Sequence, residues 1–190
     1  MKSSTRLLLC LALAFSGSLA QAQKFDYRLL ATSRTSTMEK EMNQAADAGY
    51  VFGSVMGGET GMGGKEVVVV MTKAVGAPAV KKSYRLLATS RTGTLQKELQ
   101  QAGDEGFDYC GQTVFASAMG GREVAVILER DPVSGPRRVE YKLLSTTRTS
   151  TMQKELNQAG DEGFQFMGVM VGKTAFGGSE TISILKKIPK

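Results

Sequence analysis

Three short segments bring together the residue types that bind anions. Thr32-Ser33-Arg34-Thr35-Ser36-Thr37 and its copies around Arg91-Thr92 and Arg148-Thr149 place hydroxyls and a guanidinium at turns leading into helices. A helix N-terminus offers unpaired amides and positive dipole potential. Arg34, Thr35, Arg91, Thr92, Arg148 and Thr149 are therefore a candidate site for phosphate, sulfate or carboxylate. The competing expectation is structural, with Ser and Thr capping the helices and each Arg paired to an acid such as Glu41 or Asp47.

Other chemistry finds less support. The chain has no histidine, which removes Ser-His-Asp and Cys-His nucleophile systems and the commonest metal ligand. Glu41 and Asp47 stand six residues apart, on different sides of a helix, so they form no carboxylate dyad of the glycosidase kind. Met167 and Met170 are soft ligands of the type copper(I) uses, but methionine at apolar helix and strand positions is ordinarily core filler. Cys110 has no neighbour in sequence that would activate it. The glycine-rich segment Gly57–Gly64 and Gly172-Lys173-Thr174 invite a phosphate-loop reading, yet Met167 stands where that motif needs glycine, and a strand follows instead of a helix. Tyr27, Tyr84 and Tyr141 read as core residues with a hydrogen-bonded tip. No catalytic constellation emerges, and the residues imply no cofactor, no metal and no enzyme.

These residues sit in a repeat. Tyr27-Arg-Leu-Leu-Ala-Thr-Ser-Arg34 recurs as Tyr84–Arg91 and Tyr141–Arg148, and Gly49, Gly106 and Gly163 keep the same register. So do Glu66, Glu123 and Glu180, and the pairs Gly63-Gly64, Gly120-Gly121 and Gly177-Gly178. Alternation over Phe25–Thr32 predicts a strand. Ser36 with Glu39, and Ser150 with Gln153, have capping-box spacing, while Gly93 in the second copy promises a weaker helix start. Met38, Met42 and Ala45 lie on one helical stripe, and Gly49 is placed to end the helix. An aromatic run, a glycine-rich hairpin and a last strand such as Val67–Met71 complete each unit. The fold class is α+β: three tandem βαββ units, each a three-stranded sheet with one helix packed on it.

The third strands carry an apolar face in every copy (Val68/Val70, Ala125/Ile127, Ile182/Ile184). The opposite face is apolar at Val67/Val69 and Val124/Val126 but polar at Thr181/Ser183. This predicts that units one and two bury both sheet faces and unit three leaves one open, with Asp108 and Gln112 dissenting. A closed pseudo-threefold arrangement is the alternative.

The first 22 residues have the form of a secretory signal peptide: Lys2 and Arg6, an apolar run over Leu7–Phe15, and Ala20-Gln21-Ala22 as the cleavage site. That run is too short for the roughly 20 residues of a spanning helix. Leu9 before Cys10 does not fit a lipoprotein signal. The chain thus divides into a leader over 1–22, unit one over 23–73, a connector over 74–83, unit two over 84–130, a connector over 131–140 and unit three over 141–190. Export would deliver it to the periplasm or the medium. Removing Lys2 and Arg6 from 24 basic side chains leaves 22 against 18 acidic ones, interspersed and without the basic stripe of a nucleic-acid binder. Cys110 alone remains, so no internal disulfide forms.

The opening Tyr with its paired apolars, Lys154-Glu-Leu-Asn-Gln-Ala-Gly-Asp-Glu-Gly-Phe164 and the closing Ile184-Leu-Lys-Lys187 resemble a small bacterial βαββ domain family of unknown function. Its signature is Leu-Asn-x-x-Gly-x-x-Gly-aromatic. Unit one departs at Ala46 and Ala48. The resemblance implies the fold and no chemistry. The functional expectation is a secreted, non-enzymatic binding or assembly protein, whose threefold repetition suits a cell-envelope polymer or another protein. An anion binder using the Arg and Thr residues above is the alternative, and an enzyme using carboxylates and Tyr ranks last.

Overall fold

Alternating apolar residues, a helical stripe and two further alternating runs do build the same unit three times. The computed structural model describes residues 22–59, 65–116, 122–133, 137–173 and 178–189. Residues 1–21 of the expected leader over 1–22, and the glycines Gly63-Gly64, Gly120-Gly121 and Gly177, lie outside them. Unit one comprises β1 (Phe25–Thr32), α1 (Thr35–Asp47), β2 (Val51–Glu59) and β3 (Lys65–Ala74). Unit two comprises β4 (Ser83–Thr89), α2 (Thr92–Asp104), β5 (Asp108–Ala116) and β6 (Arg122–Arg130). Unit three comprises β7 (Glu140–Thr146), α3 (Thr149–Asp161), β8 (Gln165–Lys173) and β9 (Ser179–Lys187). In each sheet the last strand is central and antiparallel to both neighbours, so the first strand of every unit is an edge.

The helices begin differently from the capping-box expectation. Arg34, Arg91 and Arg148 are the N-cap residues, in extended conformation, and no side chain caps any of the three helices. The hydroxyls of Thr32, Thr89 and Thr146 each accept the Arg N–H two residues on, at 3.1 Å. That starts the helix two residues earlier than the capping-box pattern suggests. Ser36 and Ser150 therefore fall inside the helices, and Gly93 costs α2 no turn: all three helices have 13 residues.

The helix ends follow expectation. Gly49, Gly106 and Gly163 take φ between 84° and 87°, a left-handed conformation that favours glycine. The aromatic residue that follows is clamped between two cations from the outer and central strands. Arg85 and Arg130 lie 4.4 and 4.8 Å from the Phe107 ring centre, and Lys142 and Lys187 both lie 4.5 Å from that of Phe164. Arg28 and Lys73 flank Tyr50 in the same way. Lys73 also donates to the Ala48 carbonyl at the C-terminus of α1 (2.7 Å), where a cation suits the helix dipole.

The units stack in order. Val67, Val69 and Met71 of β3 join Met38 and Met42 of α1 in one core, together with Ala125 and Ile127 from the facing side of β6. The next core repeats the scheme: Val124, Val126 and Leu128 with Leu95 and Leu99 of α2, closed by Ile182 and Ile184 of β9. A third, smaller core gathers Ala159, Phe164 and Leu185, and no further sheet closes it. Each sheet thus shows its own helix one face and the preceding unit the other.

This corrects the predicted asymmetry. Unit two buries both faces of its central strand, Val124 through Leu128. In unit one the face carrying Val68 and Val70 is only half-buried, because among the described residues no other unit packs on it. In unit three the Thr181/Ser183 side lacks a following sheet, although Ser183 is covered by Met152, to whose sulfur it donates at 3.4 Å. The arrangement is an open stack, not a closed ring.

Candidate functional site

The sequence-predicted anion residues come to the N-termini of the three helices, but not to three equivalent places. Arg34, Arg91 and Arg148 are exposed, and none makes an ion pair among the described residues, so the predicted pairing with Glu41 or Asp47 does not form. At Thr92 the position is already taken by an anion of the chain itself. The Thr92 hydroxyl donates to the carboxylate of Glu180, which also accepts from the Ser145 hydroxyl at 2.8 Å. The cleft beside it, lined by Ser90, Arg91 and Thr92 together with Leu95, Val124 and Ile182, is about 10 Å³, too small for a ligand. At Thr35 the hollow is wider, about 310 Å³, but Glu39 and Glu98 line it and oppose an anion. Thr149 is exposed.

The remaining polar chemistry is spent on joining units. Asn43 on α1 bonds the free edge of β4 twice, accepting from the Tyr84 N–H and donating to the Tyr84 carbonyl, both at 2.9 Å. Glu39, expected in a capping box, accepts the Leu86 N–H at 2.8 Å instead. On α2 the same positions repeat the scheme. Gln100 accepts the Tyr141 N–H (3.0 Å), while Gln96 donates to the Tyr141 carbonyl (3.0 Å) and accepts the Leu143 N–H (2.6 Å). A helix side chain thereby satisfies strand-edge groups that would otherwise template pairing with another chain.

The seams continue beyond the edge. Phe52 N–H donates to the Tyr84 hydroxyl at 2.8 Å, and the Tyr141 hydroxyl donates to the Phe107 carbonyl at 3.1 Å. Burial raises both phenols and lifts Tyr109 to about 12. Val139 is buried, although it falls in the predicted connector, and its N–H donates to the Gly103 carbonyl at 2.9 Å. The approach there is so close that a Cβ on Gly103 would lie 2.2 Å from the Val139 carbonyl oxygen. Arg138 pairs with Asp104 at 2.8 Å and holds that carboxyl below its usual range. The dissenting Asp108 and Gln112 are seam residues too: Asp108 pairs with Lys186 at 2.5 Å, and Gln112 donates to the Val169 carbonyl at 2.8 Å. No spacing within one unit could have signalled these contacts, because both partners matter only across a seam.

The other candidates fall into the packing. Met170 and the half-buried Met167 belong to the second core, and no cluster of acidic or cysteine side chains fit for a metal occurs among the described residues. Burial pushes the Cys110 thiol up, away from a reactive thiolate. Tyr84 and Tyr141 are core residues, 4% and 3% exposed, as predicted. Tyr27 is not: it stands 65% exposed on β1.

Tyr27 has company. Among the described residues, the large exposed apolar side chains outside the connectors are Phe25, Tyr27, Leu29 and Met56 in unit one, and Phe166, Val169 and Val171 in unit three. Strand register puts the first four on the face of sheet one turned away from α1, and the last three on the α3 side of sheet three. They are the two outer faces of the stack. No known protein family, curated protein or solved structure matches the chain.

Proposed function

We propose that the chain is an exported, non-enzymatic binding or assembly protein that works through the outer faces of its stack. One observation carries this reading: the exposed apolar side chains gather on the two terminal sheet faces, and their counterparts at internal seams are buried or half-buried. Such patches mark surfaces for macromolecular partners. The spending of Tyr84, Tyr141 and Cys110 on packing supports the non-enzymatic part, and the leader over 1–22 supports export. The likeness of the units to the βαββ family of unknown function belongs to the same reading. Among the described residues no helix is long and apolar enough to cross a membrane.

Gel filtration of native extracts tests it. The protein should elute well above its own mass, and a Leu29→Asp/Val169→Asp double variant should fall to monomer mass. Elution of both at monomer mass would contradict the reading. Small-anion binding stands second, favoured by the exposed guanidiniums of Arg34, Arg91 and Arg148, which make no ion pair among the described residues. A stabilisation by phosphate or sulfate that grows with concentration and vanishes in the Arg34/Arg91/Arg148→Ala variant would put it first.

A further inference from the structure

Resting on the binding-or-assembly reading, we propose that the partner is a second copy of this chain, docked head to tail. The open face of one copy's first sheet, with its edge strand β1, continues the seam onto α3 and the open face of another copy's third unit. Both halves of this contact are already used twice inside the chain, and one of each is left over.

On the β1 side, Tyr27 and Leu29 are 65% and 68% exposed, while Tyr84 and Tyr141 at the same repeat position are buried and Leu86 and Leu143 half-buried. β1 is an edge like β4 and β7. Among the described residues, no helix side chain bonds the outer N–H and C=O groups at Tyr27 and Leu29, whereas Asn43, Glu39, Gln100 and Gln96 do so for the later units.

On the α3 side, Gln153 and Asn157 occupy the positions of those edge-bonding residues. They are exposed, and Gln153 donates to Asn157 at 3.1 Å, with no strand before them. Gly160 is an independent sign. Its counterpart Gly103 must be small because Val139 and Tyr141 lie against it, yet nothing lies within 4 Å of a Cβ placed on Gly160. A helical glycine that weakens its helix fits a strand arriving from outside. The charges agree as well: Asp161 repeats Asp104 and Lys24 repeats Arg138, the ion pair of the seam between units two and three. The first seam carries Ala46 where the second has Gly103, and a position on the sheet face departs as well. Gly111 takes Phe52 and Gly168 takes Tyr109 at distances that leave no room for a side chain, but Ser54 stands there in unit one. The copy-to-copy seam is therefore looser than the internal ones. Such a contact is heterologous, so it extends or closes a ring according to the turn between copies.

Sedimentation velocity on the purified product of the full-length sequence tests this, with two variants that block opposite ends. Leu29→Asp blocks the head and Gly160→Val the tail. Both sites are exposed, and thermal unfolding in dilute solution at or above the wild-type midpoint verifies the folds. The wild type should grow beyond dimers as concentration rises, and each variant alone should stay monomeric. Their equimolar mixture should form a species of twice the monomer mass and stop there, since only one head and one tail remain compatible. A wild type monomeric at every concentration, a variant that still grows alone, or a mixture that stays monomeric would each overturn the proposal. If the purified protein is monomeric while large species that require Leu29 and Val169 persist in extracts, the partner is a different molecule and the broader reading survives.

Discussion

Two glycines at the same repeat position should respond in opposite directions to the same substitution. Gly103→Ala drives a methyl into the Val139 carbonyl and the Tyr141 ring, and should cost about 1–3 kcal/mol. Gly160→Ala meets nothing and should stabilise the dispersed chain by about 0.5–1 kcal/mol through helix propensity. Urea midpoints of the two variants check the pair. Tyrosines divide likewise: Tyr84→Phe strands the Phe52 N–H at a cost of about 1–3 kcal/mol, whereas Tyr27→Phe should be silent in dilute solution. Buried Tyr84 and Tyr141 and half-buried Tyr109 and Cys110 all have raised values, so the folded state holds their protons more tightly than the unfolded chain. Stability is then whole below about pH 9 and falls as the pH climbs past the unfolded thiol and phenol values. Thermal midpoints from pH 8 upward should show it. At this scale the sequence reveals which positions recur but not which copy is buried. Tyr27, Tyr84 and Tyr141 are identical letters whose surroundings differ because, among the described residues, no other unit packs against Tyr27.

Helices and strands were more legible, for a physical reason. Period-2 runs, the Met38/Met42/Ala45 stripe and the left-handed Gly49 are local, and they specify βαββ without reference to the rest of the chain. The helix N-terminus misled because Ser36 and Glu39 satisfy a local pattern while the edge of β4 competes for the same carboxylate and wins it. Edge-bonding side chains should therefore matter more than caps: Asn43→Ala leaves both Tyr84 backbone groups unpaired and should cost about 1–3 kcal/mol, while Ser36→Ala should change little. The helix ends carry a pH signature. Hydrogen bonds from Arg138, Arg85 and Lys142 hold Asp104, Glu105 and Glu162 below their ordinary values. Depressed carboxylates give stability that is present above their unfolded values, near pH 4, and lost as pH falls through the folded ones. Acid unfolding curves of an Asp104→Asn variant should be flatter than wild type over that range.

As a whole the molecule is a short one-dimensional array, in which each unit is held by its neighbours and the outer units by one neighbour only. The middle unit should be the last to open, and native-state hydrogen exchange should find its slowest amides in β6, between two cores. Repetition in the sequence made the array foreseeable. Of its two open ends, that of unit three was legible in Thr181 and Ser183, while that of unit one was not, since Val68 and Val70 are as apolar as their counterparts in the other units. The account turns on whether the edge of β1 is a vacant copy of the edges of β4 and β7, and amide exchange at those strands tests this most directly. In dilute solution the Leu29 amide should exchange fast while those of Leu86 and Leu143 are protected by Glu39 and Gln96, and raising the concentration should slow Leu29 alone. Equal protection of all three in dilute solution, or no protection of Leu86 and Leu143, would contradict the stack as described.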